Sequence, residues 1–147
     1  MGQFYARAFD ELSGAQVYEI LKSRSEIFML EQNIRCLDMD DVDYRAIHFF
    51  IEENGRVIAY LRGFYEESAP KTVRIGRVLS LHHRKGLGTA LMEQSLAYIK
   101  KAMQPDIVAV HSQEYICCFY EKFGFQKVSE PFLEEGVSHI SMELHLQ

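Results

Sequence analysis

The residues whose types and spacing could do chemistry most directly run Val78-Leu79-Ser80-Leu81-His82-His83-Arg84-Lys85-Gly86-Leu87-Gly88-Thr89. An apolar, strand-like run leads into a basic turn with two glycines, and the turn opens an apolar helical stretch. The first backbone N–H groups of a helix have no intrahelical partner, and the macrodipole adds partial positive charge there. Glycines let the backbone come close to a bulky ligand, and Arg84 and Lys85 add full charges. This combination suits an anion of the diphosphate kind. A nucleotide P-loop would need Gly-x4-Gly-Lys-Ser/Thr, and a dinucleotide fingerprint would need Gly-x-Gly-x-x-Gly after a first strand. Neither pattern is present. The plainer reading is a solvated strand-to-helix turn.

Further charges lie nearer the N-terminus. Arg24 and Glu31 share a helical face with Val17, Leu21 and Phe28, so two charges fall on a face expected to be buried. Buried charges are normally paired. The expectation is a mutual or backbone-satisfied pair anchoring the next loop, with a substrate-facing Glu31 as the functional alternative. Asp38, Asp40, Asp41 and Asp43 follow. They read as a solvated acidic loop or as a rim that attracts a cationic amine. Counted from Asp38, the Gly at position six and the Glu at position twelve of a calcium loop are missing. Cys36, Cys117 and Cys118 show no Cys-x-x-Cys spacing, so no zinc is expected and the thiols read as free, in a reducing compartment.

The elements that must position these residues are legible from periodicity. Gln3 to Ala8 reads as a strand. Ser13-Gly14-Ala15-Gln16 matches a capping box, and Val17, Ile20, Leu21, Arg24, Ile27 and Phe28 continue as a helix to about Glu31. Ile47 to Glu53 and Arg56 to Tyr65 form a hairpin around Asn54-Gly55, a two-residue turn signal. Thr72 to Leu81 is a strand, and Leu87 to Met103 is the clearest helix, stopped by Pro105. Asp106 to Ser112 is a buried-type strand, and Glu114 to Phe123 a short helix that Gly124 terminates. Gln126 to Pro131 and Ser138 to Leu146 complete the pattern as strands. This order predicts an α/β protein with a mixed sheet and helices on both faces.

The bulk properties set outer bounds. The 147 residues, with no linker or repeat, suit one domain over residues 1–147. A net charge of -5 argues against a nucleic-acid partner. No apolar run approaches the ~20 residues of a membrane helix, and Met1 to Asp10 lacks a signal-peptide pattern. A cytoplasmic location with no membrane partner is therefore expected.

His83-Arg84-Lys85-Gly86-Leu87-Gly88 resembles the cofactor motif of the GNAT acetyltransferase superfamily, Arg/Gln-x-x-Gly-x-Gly/Ala, which follows that fold's fourth strand. His83 departs from the usual Arg or Gln, and Arg84 stands where many members have Gly. Arg24 to Asn33, Ile75-Gly76-Arg77-Val78, Phe119 to Phe125 and Glu135 to Ile140 resemble segments of the ElaA-type branch, in the family's order. The resemblance implies the GNAT acyl-CoA acyltransferase fold, with a splay between strands 4 and 5 that takes the pantetheine arm. It implies acetyl-CoA as co-substrate, with no metal, and direct attack by a primary amine in a ternary complex. The backbone from Arg84 to Thr89 would hold the diphosphate, assisted by Arg84 and Lys85. Backbone N–H groups among Val78, Leu79, Ser80 and Leu81 would polarise the thioester carbonyl, with Leu79 or Ser80 foremost. Ser112 and Gln113 would lie near the cofactor. Tyr120 would be the general acid and a cofactor contact. The base would be His139, Glu31 or a water chain. The acceptor would be a small-molecule or peptide amine, and a homodimer is a family-level expectation.

Two other functions share parts of this pattern. Acyl-homoserine lactone synthases have the same fold, and Arg24, Phe28, Asp40 and Asp43 echo their helix, but this chain is shorter and its turn suits a CoA diphosphate. A non-catalytic acetyl-CoA sensor or partner-binding module would tolerate His83, yet it would have no need of a placed acid at Tyr120.

Overall fold

The computed structural model describes residues 2–34, 36–81 and 86–146. Its centre is an eight-stranded mixed sheet in the order β1-β2-β3-β4-β5-β8-β6, with β7 also paired to β8. The strands are β1 (Gln3–Ala8), β2 (Ile47–Glu53), β3 (Arg56–Glu66), β4 (Ala69–Ser80), β5 (Ile107–Gln113), β6 (Gln126–Lys127), β7 (Phe132–Glu134) and β8 (Val137–His145). The helices are α1 (Gly14–Arg24), α2 (Leu87–Tyr98) and α3 (Cys117–Glu121).

Local chemistry sets most element ends as the sequence predicts. Ser13 Oγ accepts from the Gln16 N–H at 3.0 Å, and Gln16 Oε1 accepts from the Ser13 N–H at 3.0 Å, closing the capping box of α1. Asn54 and Gly55 take φ of 52° and 77°, as a tight β2–β3 turn demands. Gly124, at φ 98°, ends the turn after α3. Two differences matter for the site. The sequence pattern merges the end of the chain into two strands, whereas a separate β7–β8 hairpin exists, turning on Glu135 (φ 51°) and Gly136 (φ 75°). The first helix also widens into a π-helix over Ser25–Glu31.

Apolar residues fill both sides of the sheet. Phe49, Leu61, Ile75, Leu91, Met92, Ile99, Val108 and Met142 are buried in the larger cluster, on the face that α2 and α3 cover. Ile20, Ile27, Phe50, Val57, Tyr60, Leu79 and Leu81 pack on the other face beneath α1. Among the described residues no helix is long and apolar enough to cross a membrane.

The sheet opens at its middle. β4 and β5 are parallel and pair only through Thr72–Ile107, Val73–Val108 and Arg74–Ala109. Beyond Arg74, β4 stays with β3 and β5 stays with β8. In the β3–β4 ladder Tyr60 faces Leu79 while Arg62 faces Gly76, so β4 carries one extra residue, a β-bulge. Arg77 sits in it at φ 52°, a left-handed conformation uncommon for a residue with a side chain.

Candidate active site

The splay and the elements around it enclose a cavity of about 240 Å³. β4 contributes Arg74 to Val78, β5 contributes Val110, His111 and Gln113, and α3 contributes Tyr120. The end of the π-helix adds Phe28, Met29 and Gln32, and the β7–β8 hairpin adds Glu134, Glu135 and His139. Residues far apart in sequence meet here because both strands leave their shared ladder at the same level.

On the β4 wall, the Leu81 N–H donates to the Ile58 carbonyl at 2.7 Å, toward β3. Successive N–H groups of a strand point to opposite sides, so Leu79 shares that direction and the Ser80 N–H turns toward the gap. Leu79 and Leu81 bury their side chains under α1, and the cavity's β4 lining ends at Val78, two residues before Ser80. Of the two foremost carbonyl-polarising donors expected from the sequence, Ser80 has the N–H that faces the splay.

α2 starts beside α3, with Gly88 against the ring of Phe119, the neighbour of Tyr120. Gly86 is its N-cap at φ 84° and has no side chain to cap with, and Leu87, Gly88 and Thr89 supply the first N–H groups of the helix, which have no partner within the helix itself. A Cβ added to Gly88 would lie 3.6 Å from the Phe119 ring, an ordinary contact, so the protein's own packing does not require glycine there. The expected diphosphate contacts of Arg84 and Lys85, and the departure at His83, lie outside the described residues.

Tyr120 is 3 % exposed and still lines the cavity. A 3₁₀ turn, Glu114–Ile116, carries the chain from β5 into α3 and brings the residue to the cavity wall. The rings of Phe119 and Phe125 meet its ring edge-on at 5.2 and 5.7 Å. Burial, with a smaller effect of the nearby Cys117, pushes the phenol well above its ordinary range, so it stays protonated at neutral pH.

His139 is buried, pairs in register with Gln113, and lines the cavity. Its Nδ1 lies 2.7 Å from the Val137 carbonyl, which can only accept, so Nδ1 carries the proton and Nε2 is the acceptor of the neutral ring. Gln113 Nε2 donates to Gln32 Oε1 at 3.2 Å, linking β5 to the end of the π-helix. Ser112 is buried on the opposite, core-facing side of β5, and its hydroxyl donates to the Gln113 carbonyl at 2.9 Å.

The structure corrects the reading of Arg24 and Glu31. Arg24 is fully buried, but its partners are Asp38 and Asp43: Nε to Asp38 Oδ2 at 2.7 Å, Nη1 to Asp43 Oδ1 at 2.8 Å and Nη2 to the Asp38 carbonyl at 3.0 Å. Glu31 is exposed and is not among the cavity's lining residues. The π-helix has more residues per turn than an α-helix, so each side chain after Arg24 lags the α-helical wheel and Glu31 rotates off the buried face.

The acidic loop is only in part the solvated loop or anionic rim expected: Asp40 and Asp41 are exposed, but Asp38, Asp40 and Asp43 are bound by arginines. Arg62 holds Asp40 through both Nη atoms, at 2.8 and 2.7 Å, and Asp43 at 3.0 Å. Arg77 donates from Nε to Asp38 Oδ1 and from Nη2 to the Asp38 carbonyl, each at 2.8 Å. The Arg62 hydrogen bond, with the charges of Arg62 and Arg77, draws the Asp40 carboxyl down to about 2. Burial pushes Asp43 up, but Arg24 and Arg62 outweigh it and hold the carboxyl below its usual range. Behind them buried His48 accepts from the Tyr60 hydroxyl at 2.6 Å and donates to the Asp43 carbonyl at 2.9 Å. The network pins the loop against β3 and β4 and holds Arg77 in its bulge.

Two residues of the site were not singled out from the sequence. His111 and Glu134 line the cavity 2.8 Å apart, Nδ1 to Oε1. The alternation of β5 could have flagged His111, which shares a face with Gln113. Glu134 was hidden because β7 was not recognised as a strand.

Known proteins with this architecture place the cleft in context. The model of the acetyltransferase (GNAT) domain matches residues 19–146. A UPF0039 protein of Schizosaccharomyces pombe is 33% identical over 98% of this chain and 97% of its own length. Protein ElaA of Escherichia coli is 32% identical over 90% of this chain and 89% of its own, and its crystal structure superposes with a TM-score of 0.92 over 99% of this chain and 100% of that one. An acyl-CoA N-acyltransferase from Pseudomonas aeruginosa, 28% identical, superposes with a TM-score of 0.90 over 97% of this chain and 99% of the other. A β4–β5 splay and sequence similarity along nearly the whole chain thus agree, and the chain belongs to the GNAT acetyltransferase superfamily, in its ElaA-type branch.

Proposed function

We propose that the protein moves an acetyl group from acetyl-CoA to a primary amine by direct attack in a ternary complex. The observation that carries this reading is the buried, protonated Tyr120 on the wall of a gap along which β4 is paired to β3 and unpaired on its β5 side. Acetyl-CoA supplies the thioester. The first turn of α2 fits its diphosphate, through the N–H groups of Leu87, Gly88 and Thr89 with Arg84 and Lys85 adding charge. The β4 backbone near Val78 and Ser80 lies along the pantetheine arm and polarises the carbonyl. Tyr120 gives its proton to the leaving sulfur, and His139 Nε2 accepts a proton from the attacking nitrogen. Of the two protons an ammonium loses in becoming an amide, one replaces the Tyr120 proton and one reaches solvent. Glu31, exposed at the end of the π-helix, is set aside as base.

The test is free-thiol release. Pure protein with acetyl-CoA and a panel of alkylamines, amino acids and short peptides is expected to release thiol only when an acceptor is present. Acetyl-CoA binding with no release for any amine would leave a sensor as the function.

Gly86 and Gly88 separate fold from ligand. Gly86→Ala places a side chain at φ 84° and is expected to cost about 1–2 kcal/mol of stability. Gly88→Ala meets only an ordinary contact, so its melting temperature should hold or rise slightly. Its affinity for CoA should fall, because the added methyl occupies the diphosphate's approach. Thermal melts and calorimetric titration with CoA check both, and a Gly88→Ala protein that binds CoA normally counts against the diphosphate seat.

A further inference from the structure

Glu134 and His139 are set against each other in an unusual way. His139 Nε2 and Glu134 Oε2 lie 3.9 Å apart, beyond hydrogen-bond distance. With Nδ1 protonated against the Val137 carbonyl, Nε2 is an acceptor, and a carboxylate oxygen is also an acceptor. With the neutral ring two acceptors therefore face each other at the cavity wall, and with the imidazolium the same contact is a long ion pair. The other carboxylate oxygen is already engaged, since His111 Nδ1 lies 2.8 Å from Glu134 Oε1 and donates to it. Phe132 fixes both imidazoles, meeting His111 edge-on at 5.2 Å and stacking on His139 at 6.2 Å. The tight Glu135–Gly136 turn holds Glu134 opposite Val137. A group with several N–H donors and a positive charge satisfies both facing acceptors at once.

We infer that Glu134 determines acceptor specificity: the amine is received as an alkylammonium ion that donates one hydrogen to Glu134 Oε2 and one to His139 Nε2. His111 is a positioning residue that holds the carboxylate in place. The substrate class is an aliphatic primary amine, which arrives protonated at neutral pH, rather than an aromatic amine, which arrives neutral and gains nothing from the carboxylate. The step is a proton transfer from the ammonium nitrogen to His139 Nε2. It frees the nitrogen lone pair for attack and leaves an imidazolium that Glu134 neutralises. The inference rests on the acetyl-transfer reading of the same cleft.

The experiment compares wild type, Glu134→Gln and His111→Ala with n-butylamine, cadaverine and aniline as acceptors. Calorimetry gives acetyl-CoA affinity, and imidazole ¹⁵N shifts report the state of His139. In Glu134→Gln the KM for the alkylamines is expected to rise about 10- to 100-fold, the loss of one charge-assisted hydrogen bond, while acetyl-CoA affinity is unchanged. His111→Ala should show a smaller rise of the same kind. Wild type should prefer the alkylamines to aniline, and cadaverine should perturb the His139 Nε2 resonance in wild type far more than in Glu134→Gln. An alkylamine KM within twofold of wild type in Glu134→Gln, a preference for aniline, or a His139 proton found on Nε2 overturns the inference while acetyl transfer stands. If no amine releases thiol even from wild type, the acetyl-transfer reading fails instead, and the ¹⁵N titration with cadaverine still decides whether an alkylammonium binds between the two residues.

Discussion

Tyr120→Phe is expected to lower kcat by about 10²- to 10⁴-fold, the usual contribution of a positioned general acid, with acetyl-CoA affinity within about twofold of wild type. The substitution removes one oxygen. It keeps the ring against Phe119 and Phe125 and keeps the residue's place in the larger core, so the fold and the cavity's shape persist. What is lost is a proton source that burial keeps loaded at neutral pH. The effect should therefore fall on turnover and not on KM for either substrate. Steady-state thiol release across the pH range checks it, with circular dichroism to confirm the fold. A kcat within threefold of wild type throughout would remove Tyr120 from the chemistry.

The second large effect is on stability. Arg24→Met takes the fully buried cation from Asp38 and Asp43, whose side chains are only 13% and 14% exposed, and leaves Asp38 to Arg77 and Asp43 to Arg62. Breaking a buried pair by removing one member costs about 3–5 kcal/mol, or roughly 6–20 °C in melting temperature for a domain near this size. The loop they anchor should loosen with it, so activity falls as well. The pH dependence has a definite sign. Asp40 and Asp43 are held below their usual range, Asp40 at about 2, so the stability they provide is complete above the unfolded carboxylate value of about 4 and is lost as pH falls toward the folded value. In Arg24→Met, Asp43 loses one of the two arginines that hold its carboxyl down, and relieves the loss by protonating. The gap in melting temperature between variant and wild type should hold from about pH 7 to pH 5 and narrow below about pH 4. A gap that stays constant to pH 3 would show that packing, not charge, is Arg24's contribution.

Much of the site's scaffold could be read from the sequence because local rules wrote it. The capping box at Ser13, the Asn54-Gly55 turn, the apolar stripe of α2 and the glycine at position 86 each state their structure within a few residues. What escaped was long-range or came from a changed helical repeat. Asp38 meets Arg24 across 14 residues and Arg77 across 39, and nothing local distinguishes such a carboxylate from a solvated one. Glu31 was assigned by an α-helical wheel that the π-helix does not follow. His111 and Glu134 became neighbours only through the registers of β5 and β7 on β8. Tyr120 could be named because its segment resembles a known family. Its sequence alone allows a core tyrosine equally well, and 3 % exposure beside a cavity is compatible with both roles.

The bulge at Arg77 is slack in the β4 ladder. Gly76 stays opposite Arg62 and Leu79 opposite Tyr60 although β4 has one more residue between them than β3 does. Cross-strand partners share a face, so Leu79 follows Tyr60 beneath α1 whichever residue fills position 77. Deleting Arg77 would let the ladder close with both flanks still in register, and would take away the guanidinium that grips Asp38. The extra position is therefore kept for its side chain and not for the count.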